Sequence, residues 1–396
     1  MTVHHPTAQP ARPPPAAFAL WQLGFRPFYL LASAFSALSV GLWGLQLAGL
    51  LVAPYLPGPL WHAHEMLFGF VLPVMVGFLF TAGRNWTQRP TPTGLPLAAL
   101  ALLWLAGRVL VLSPYGVLSA LVNAAFPLAA AMALAIPFIA ARNRRNYFFV
   151  GLLVLMSLAT LAVHLQQLGV LALPGWVGIQ LALDIVLFIL CVMGGRVIPM
   201  FTNSAVPGAA AGRQPALEKL ALGAVLALLV AGLLQLPAIV LAAVAAGAAV
   251  AHGVRWWLWQ PWRTLRTPLV GVLHLAYAWI PVHLALRAAA LAGLIGPSPA
   301  VHALTTGAIG GMVIGMMTRT SRGHTGRPLH ADGTDVACYL LIAAAAVVRV
   351  AGPLLAPAAM GPLLSASAAL WAAGFALFTV RYWPALTRPR LDGQPG

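Results

Sequence analysis

Five histidines give this chain its most evident capacity for chemistry: His62, His64, His164, His283 and His302. Neutral imidazole is a general ligand for iron and copper. Each of the five lies within or at the end of a long apolar stretch, where ionisable side chains are costly and usually mark function. Glu65, Asp184, Arg108, Arg287 and Arg349 share that setting. His62 and His64 are two positions apart, about 200° around an α-helix, so regular helix cannot aim both at one ion and the two have different tasks. Glu65 lies three residues after His62 on the same face, where its carboxylate could orient an imidazole from behind, and Asp184 is the other acid available for that task. The run from His64 to Phe68 is not a zinc-protease H-E-x-x-H, because Phe68 stands where the second ligand belongs. No C-x-x-C-H occurs, so any haem is held without a covalent thioether link.

The elements that must position these groups are membrane spans. Twelve apolar stretches, at about 27–51, 62–82, 95–112, 117–141, 147–170, 176–200, 217–235, 238–258, 268–295, 301–318, 336–356 and 360–383, are each near the ~20 residues that cross a bilayer. Six connections, at 54–60, 113–116, 171–175, 235–237, 296–300 and 352–359, contain no Lys or Arg, whereas the seven segments alternating with them, counted with the span ends that adjoin them, hold 19 of the 22 basic residues. The positive-inside rule then places both termini in the cytoplasm and the Arg-free connections outside. On that topology the five histidines, Arg108, Arg287, Arg349 and Asp184 gather toward the outer leaflet. His252 and His274 fall toward the inner side and read as structural, and His324 reads as a solvated residue of a basic loop. The expected fold is an all-α polytopic membrane protein of a single domain over 27–383, flanked by a disordered cytosolic tail at 1–26 and a second cytosolic tail at 384–396.

The spans also suggest three pseudo-equivalent sets of four, at about 27–141, 147–258 and 268–383. His283 follows His164 by 119 residues, His302 follows His62 by 240, and Arg349 follows Arg108 by 241. Three intramembrane cations face two acids, so an anion is missing. Haem propionates would supply it, since Arg suits bidentate pairing with carboxylates. Snorkelling to headgroups is the alternative, and for Arg349 it is the favoured one. This reading gives His62 and His302, with Arg108 and Arg287, to a non-covalent haem b; it leaves His64, His164 and His283 for copper, and Glu65 and Asp184 behind the ligands. Met312, Met316 and Met317 read first as packing.

Composition agrees, because 61% hydrophobic and 7% charged residues, with a mean hydropathy of +0.89, leave too little polar surface for a soluble domain of 396 residues. The formal charge of +16 sits in short loops, where topology and anionic lipid explain it, so nucleic acid is not an expected partner. Cys191 and Cys338 both lie within spans, and no disulfide framework follows.

Scattered motifs carry a resemblance: Gly24-Phe25-Arg26-Pro27-Phe28, Trp61-His62-Ala63-His64-Glu65-Met66 with Gly69-Phe70, Asn85-Trp86-Thr87, the run from His274 to Pro281, and Met316 through Arg319 to the segment Gly323–Leu329. They resemble the NnrS proteins, bacterial inner-membrane proteins of the nitric oxide response. The resemblance implies a haem- and copper-containing protein that binds, senses or detoxifies nitric oxide or nitrosylated species; whether as an enzyme it leaves open. A looser, fold-level likeness is to the catalytic subunit of haem-copper oxidases, with twelve helices and a haem between the second and tenth, the helices that bear His62 and His302. The sixth span carries Asp184 and no histidine, so an oxidase-type copper site is not expected. A secondary transporter of a small anion or metal complex is the competing reading, with the intramembrane cations recruiting the substrate.

Overall fold

The computed structural model describes residues 18–52, 55–56, 58–172 and 176–394. Most of the expected N-terminal tail, parts of the connections at 54–60 and 171–175, and the last two residues lie outside them. The described residues contain twelve helices long and apolar enough to cross a membrane, and no strand. These are α1 Phe25–Leu47, α2 Gly58–Thr87, α3 Gly94–Val111, α4 Gly116–Ala140, α5 Arg144–Gln167, α6 Val177–Ala205, α7 Pro215–Leu233, α8 Ala238–Leu258, α9 Pro268–Leu291, α10 Pro297–His324, α11 Gly333–Leu355 and α12 Pro357–Thr387. All twelve expected spans are present.

Local chemistry sets the helix ends. Pro215, Pro268 and Pro297 open α7, α9 and α10, where a missing N–H costs nothing. Asp332 caps α11 in a reciprocal box with Asp335. Gln88 ends α2 in the left-handed region, at φ 53°.

The apolar stretches of α2, α6 and α10 are 83%, 72% and 72% buried, against at most 56% for any other span. These three form the centre of the bundle, and the lipid-length helices around them expose leucine and valine outward. A helix apolar all round must sit inside such a ring. Two of the central helices change pitch. In α2 the residues Glu65–Val71, and in α10 the residues Ala303–Ile309, form π-helical turns, each starting directly after a histidine. Single π-turns insert one extra residue and occur often at functional sites.

Ordered structure extends into both segments expected as tails. Residues 18–26 are not loose: Ala19 is buried and its N–H bonds the Thr387 carbonyl, and Arg26, already in α1, is wholly buried. At the other end α12 runs through Pro384 to Thr387, with Ala385 and Leu386 in the core. His324 also departs from expectation. It is the last residue of α10, packed with its ring 5.6 Å from Phe25, because helical bonding continues through the polar residues that close a hydropathy window.

Candidate functional site

At the Arg-poor end of the bundle, a line of buried side chains links four helices. Tyr55 Oη lies 2.9 Å from His164 Nδ1 of α5, and His164 Nε2 lies 3.1 Å from His64 Nε2 of α2. His64 Nδ1 is 2.7 Å from Glu65 Oε1, which also accepts from Arg108 Nη1 of α3 at 2.5 Å; Arg108 Nη2 bonds Asn123 Oδ1 of α4. His64 and His164 are fully buried, and the Tyr55 and His164 rings stack at 5.6 Å.

The protons follow from the partners. Glu65 is the acceptor, so His64 Nδ1 carries its proton and Nε2 a lone pair. His164 Nε2–H donates to that lone pair, and the Tyr55 hydroxyl donates to His164 Nδ1. Moving the His164 proton to Nδ1 reverses the Tyr55 bond and leaves two imidazole lone pairs facing each other. The Tyr55 hydroxyl then turns toward the His164 carbonyl, 3.5 Å away. That donor set suits a soft or borderline ion such as copper, with Glu65 and Tyr55 fixing the rings from behind.

His62 takes a separate direction, as its angular offset from His64 requires. Its ring stacks on Trp43 of α1 at 5.2 Å, and its buried Nδ1 has no hydrogen-bond partner. Glu65 therefore orients His64 and not, as the i+3 spacing suggested, His62; the carboxylate bonds the His64 ring and Arg108, which Asn123 holds in turn. His302 of α10 gives Nδ1–H to the Ser298 carbonyl at 2.8 Å, which leaves its Nε2 with a lone pair. His62, His302 and Arg349 of α11 lie within electrostatic reach of one another, and Arg349 bonds Ser298 Oγ at 3.0 Å. Two imidazoles with uncommitted nitrogens, one held by a backbone acceptor, are donors of the type that haem iron would take.

The expected shortage of anions falls on Arg349 and not on Arg108 or Arg287. Arg108 is neutralised by Glu65, and Arg287 of α9 by Asp184 of α6 at 2.5 Å, with Gln180 donating to the same carboxylate oxygen. Neither arginine is left to seek a propionate. The arginine beside the His62 and His302 pair is Arg349, expected only to snorkel. His283 does not join His64 and His164: its Nδ1 bonds the Ala300 carbonyl at 2.8 Å, and its buried Nε2 has no partner. Among the described residues no group of three His, Cys, Asp or Glu side chains is placed to hold a metal ion.

Sequence reasoning missed Tyr55, Asn123 and Trp43. Asn123 had a signal, since an amide with Ser119 one turn before it is out of place in an apolar span. Tyr55 and Trp43 had none, because aromatics at span ends are common as anchors. The inner histidines are bonded within the bundle: His252 joins Tyr277 Oη at 2.7 Å to the Ala221 carbonyl, and His274 Nε2 bonds Thr202 Oγ1 at 2.8 Å, while its buried Nδ1 has no partner.

No curated protein matches the chain. A family model described as NnrS protein matches residues 19–390, which covers the helical bundle from the buried segment before α1 to the turn after α12, and the chain therefore belongs to the NnrS family.

Proposed function

We propose that this is a haem- and copper-binding protein of a bacterial inner membrane, with both termini cytoplasmic, that acts on nitric oxide or a nitrosylated species and so protects against nitrosative stress. His62 and His302 would hold haem b with Arg349 beside it, and His64 and His164 would hold copper. The observation that carries the proposal is the meeting of His64 Nε2 and His164 Nε2 at 3.1 Å, in a dry bundle, with a carboxylate behind one ring and a phenol behind the other. Membership of a nitric oxide-response family supports the substrate class.

Bound there, the metals would supply one-electron chemistry and a coordination position for a small diatomic ligand. The protein's part is to hold neutral imidazoles, exclude water and keep net charge near zero through the Glu65–Arg108 and Asp184–Arg287 pairs. Nitric oxide is apolar and enters from the bilayer, where the pair of histidines lies. Two of the three cations that a transporter would use to recruit an anion are already paired with carboxylates, which favours the metal reading over it.

Metal analysis of purified protein tests the proposal. We expect copper near one per chain, lost in His64→Ala and in His164→Ala and kept in His252→Ala. Copper retained equally in all three variants contradicts it.

A further inference from the structure

Two sequence motifs take no part in the site above: Gly24-Phe25-Arg26-Pro27-Phe28 at the start of α1, and Gly323-His324-Thr325-Gly326-Arg327-Pro328 at the end of α10. They meet at the opposite, Arg-rich end of the bundle. The Phe25 ring packs on His324, the Leu391 N–H bonds the Thr325 carbonyl at 3.1 Å, and Arg390 Nη1 bonds the His324 carbonyl at 3.2 Å.

Arg26 is the unusual member. It is wholly buried, and its Nη1 donates to the Leu386 and Arg388 carbonyls at 3.1 and 2.8 Å, which docks the end of α12. Its Nε and Nη2 are buried and have no partner. Those two N–H groups form the edge of the guanidinium that grips two oxygens of one anion. Ser321, one turn before His324 on the same face of α10, also has a buried hydroxyl without a partner. The nearby charges are cations: Arg327 and Arg390 act on Arg26, and Arg26, Arg84 and Arg390 surround His324. Asp392 is held by both arms of Arg390 at 2.9 and 2.6 Å, while Asp332 and Asp335 hold Arg322 and Arg381. Among the described residues, Arg26, Arg84 and Arg327 have no carboxylate partner.

A buried, unpaired guanidinium is strongly unfavourable unless something anionic meets it. We propose that Arg26, Arg327 and Ser321 form an oxyanion site that takes a phosphate group, as free phosphate or as the headgroup of an anionic lipid. Two oxygens match the Nε–Nη2 edge and a third accepts from Ser321. More than one negative charge suits the cations around it, which favours phosphate over a monocarboxylate. The site stands on none of the metal-binding residues and is independent of the metal reading.

Full-length protein, delipidated in a non-ionic detergent, would be dialysed against labelled inorganic phosphate, and in parallel probed by native mass spectrometry with phosphatidylglycerol and phosphatidylcholine. We expect saturable binding of phosphate, or selective retention of phosphatidylglycerol if the source is lipid. Either should weaken at least tenfold in Arg26→Lys, which keeps the charge and loses the edge, and in Arg327→Gln. Arg327 is half-buried in a loop, so that variant keeps the test open if Arg26→Lys fails to fold. Ser321→Ala should weaken binding severalfold, and Arg263→Gln, at the same end of the bundle, should leave it unchanged. Binding of neither probe, binding unaffected by Arg327→Gln, or equal weakening by Arg263→Gln overturns the proposal.

Discussion

Glu65 accepts from two donors on one oxygen, the His64 ring and the Arg108 guanidinium, in a place where water cannot compensate for the loss of either. Arg108→Leu should therefore cost about 3–5 kcal/mol of stability by stranding a buried carboxylate, whereas Glu65→Gln combined with Arg108→Gln should recover most of that loss. Unfolding of the purified variants in detergent checks this, and purely additive losses would mean that the pair is not coupled. Asp332 shows the same physics outside the spans. Burial alone would raise its carboxyl, but the hydrogen bonds from Arg381 and the Asp335 N–H, and the charges of Arg381 and Arg322, outweigh burial and hold it at about 2, below its ordinary 3.8. A depressed value means stability that is fully present above the unfolded pKa and lost as pH falls through the folded one. The start of α11 should thus loosen between about pH 4 and pH 2, seen as faster hydrogen exchange at Thr334 and Asp335, and Asp332→Asn should show that faster exchange already at neutral pH. The types of the groups inside the spans were legible in the sequence, since Glu65, Arg108, Asp184 and Arg287 are each a charge in an apolar run. Their partners were not, because Glu65 finds Arg108 43 residues away and Arg287 finds Asp184 103 away.

The π-turns of α2 and α10 are the devices that set the histidine directions. Each adds one residue, so the segment before it is rotated by about 100° relative to a continuous α-helix. Deleting Leu67 should remove the turn, swing His62 and His64 off their partners, and abolish copper retention while the protein still inserts; full copper retention would assign the turn no role. Gly69, inside the turn, permits the approach of neighbours: a Cβ there would meet the Phe35 ring and stand 2.8 Å from Arg108 Nη1. Gly69→Ala should cost about 1–3 kcal/mol by overpacking and by pushing Arg108 from Glu65, measured in the same unfolding assay. Helix number and approximate position were readable from hydropathy alone, because a bilayer imposes one length on every span. The change of pitch was not, since an extra residue leaves no mark in composition, and helix ends were trimmed wherever polar residues closed the apolar window.

Across the whole molecule, the second helix of each proposed set of four is the most buried, α2, α6 and α10. Recurring π-turns in the second helices of the first and third sets add to the spacing of His62 and His302 as support for a threefold repeat. On the proposed topology the metal groups of α2, α5 and α10 lie toward the outer leaflet and the unpaired Arg26 of α1 toward the cytoplasm. Reporter fusions at Pro297 should then read outside and those after Arg144, Arg266 and Arg327 inside; a cytoplasmic signal at Pro297 would remove His302 from the outer half. The central claim is that the histidines of α2 and α10 hold a redox cofactor between them, and a reduced-minus-oxidised optical spectrum of the purified protein tests it most directly. The account predicts Soret and α bands of haem b that are lost or converted in His62→Ala and His302→Ala and unchanged in His252→Ala. A protein without haem bands, or bands identical in both His62→Ala and His302→Ala, would contradict it.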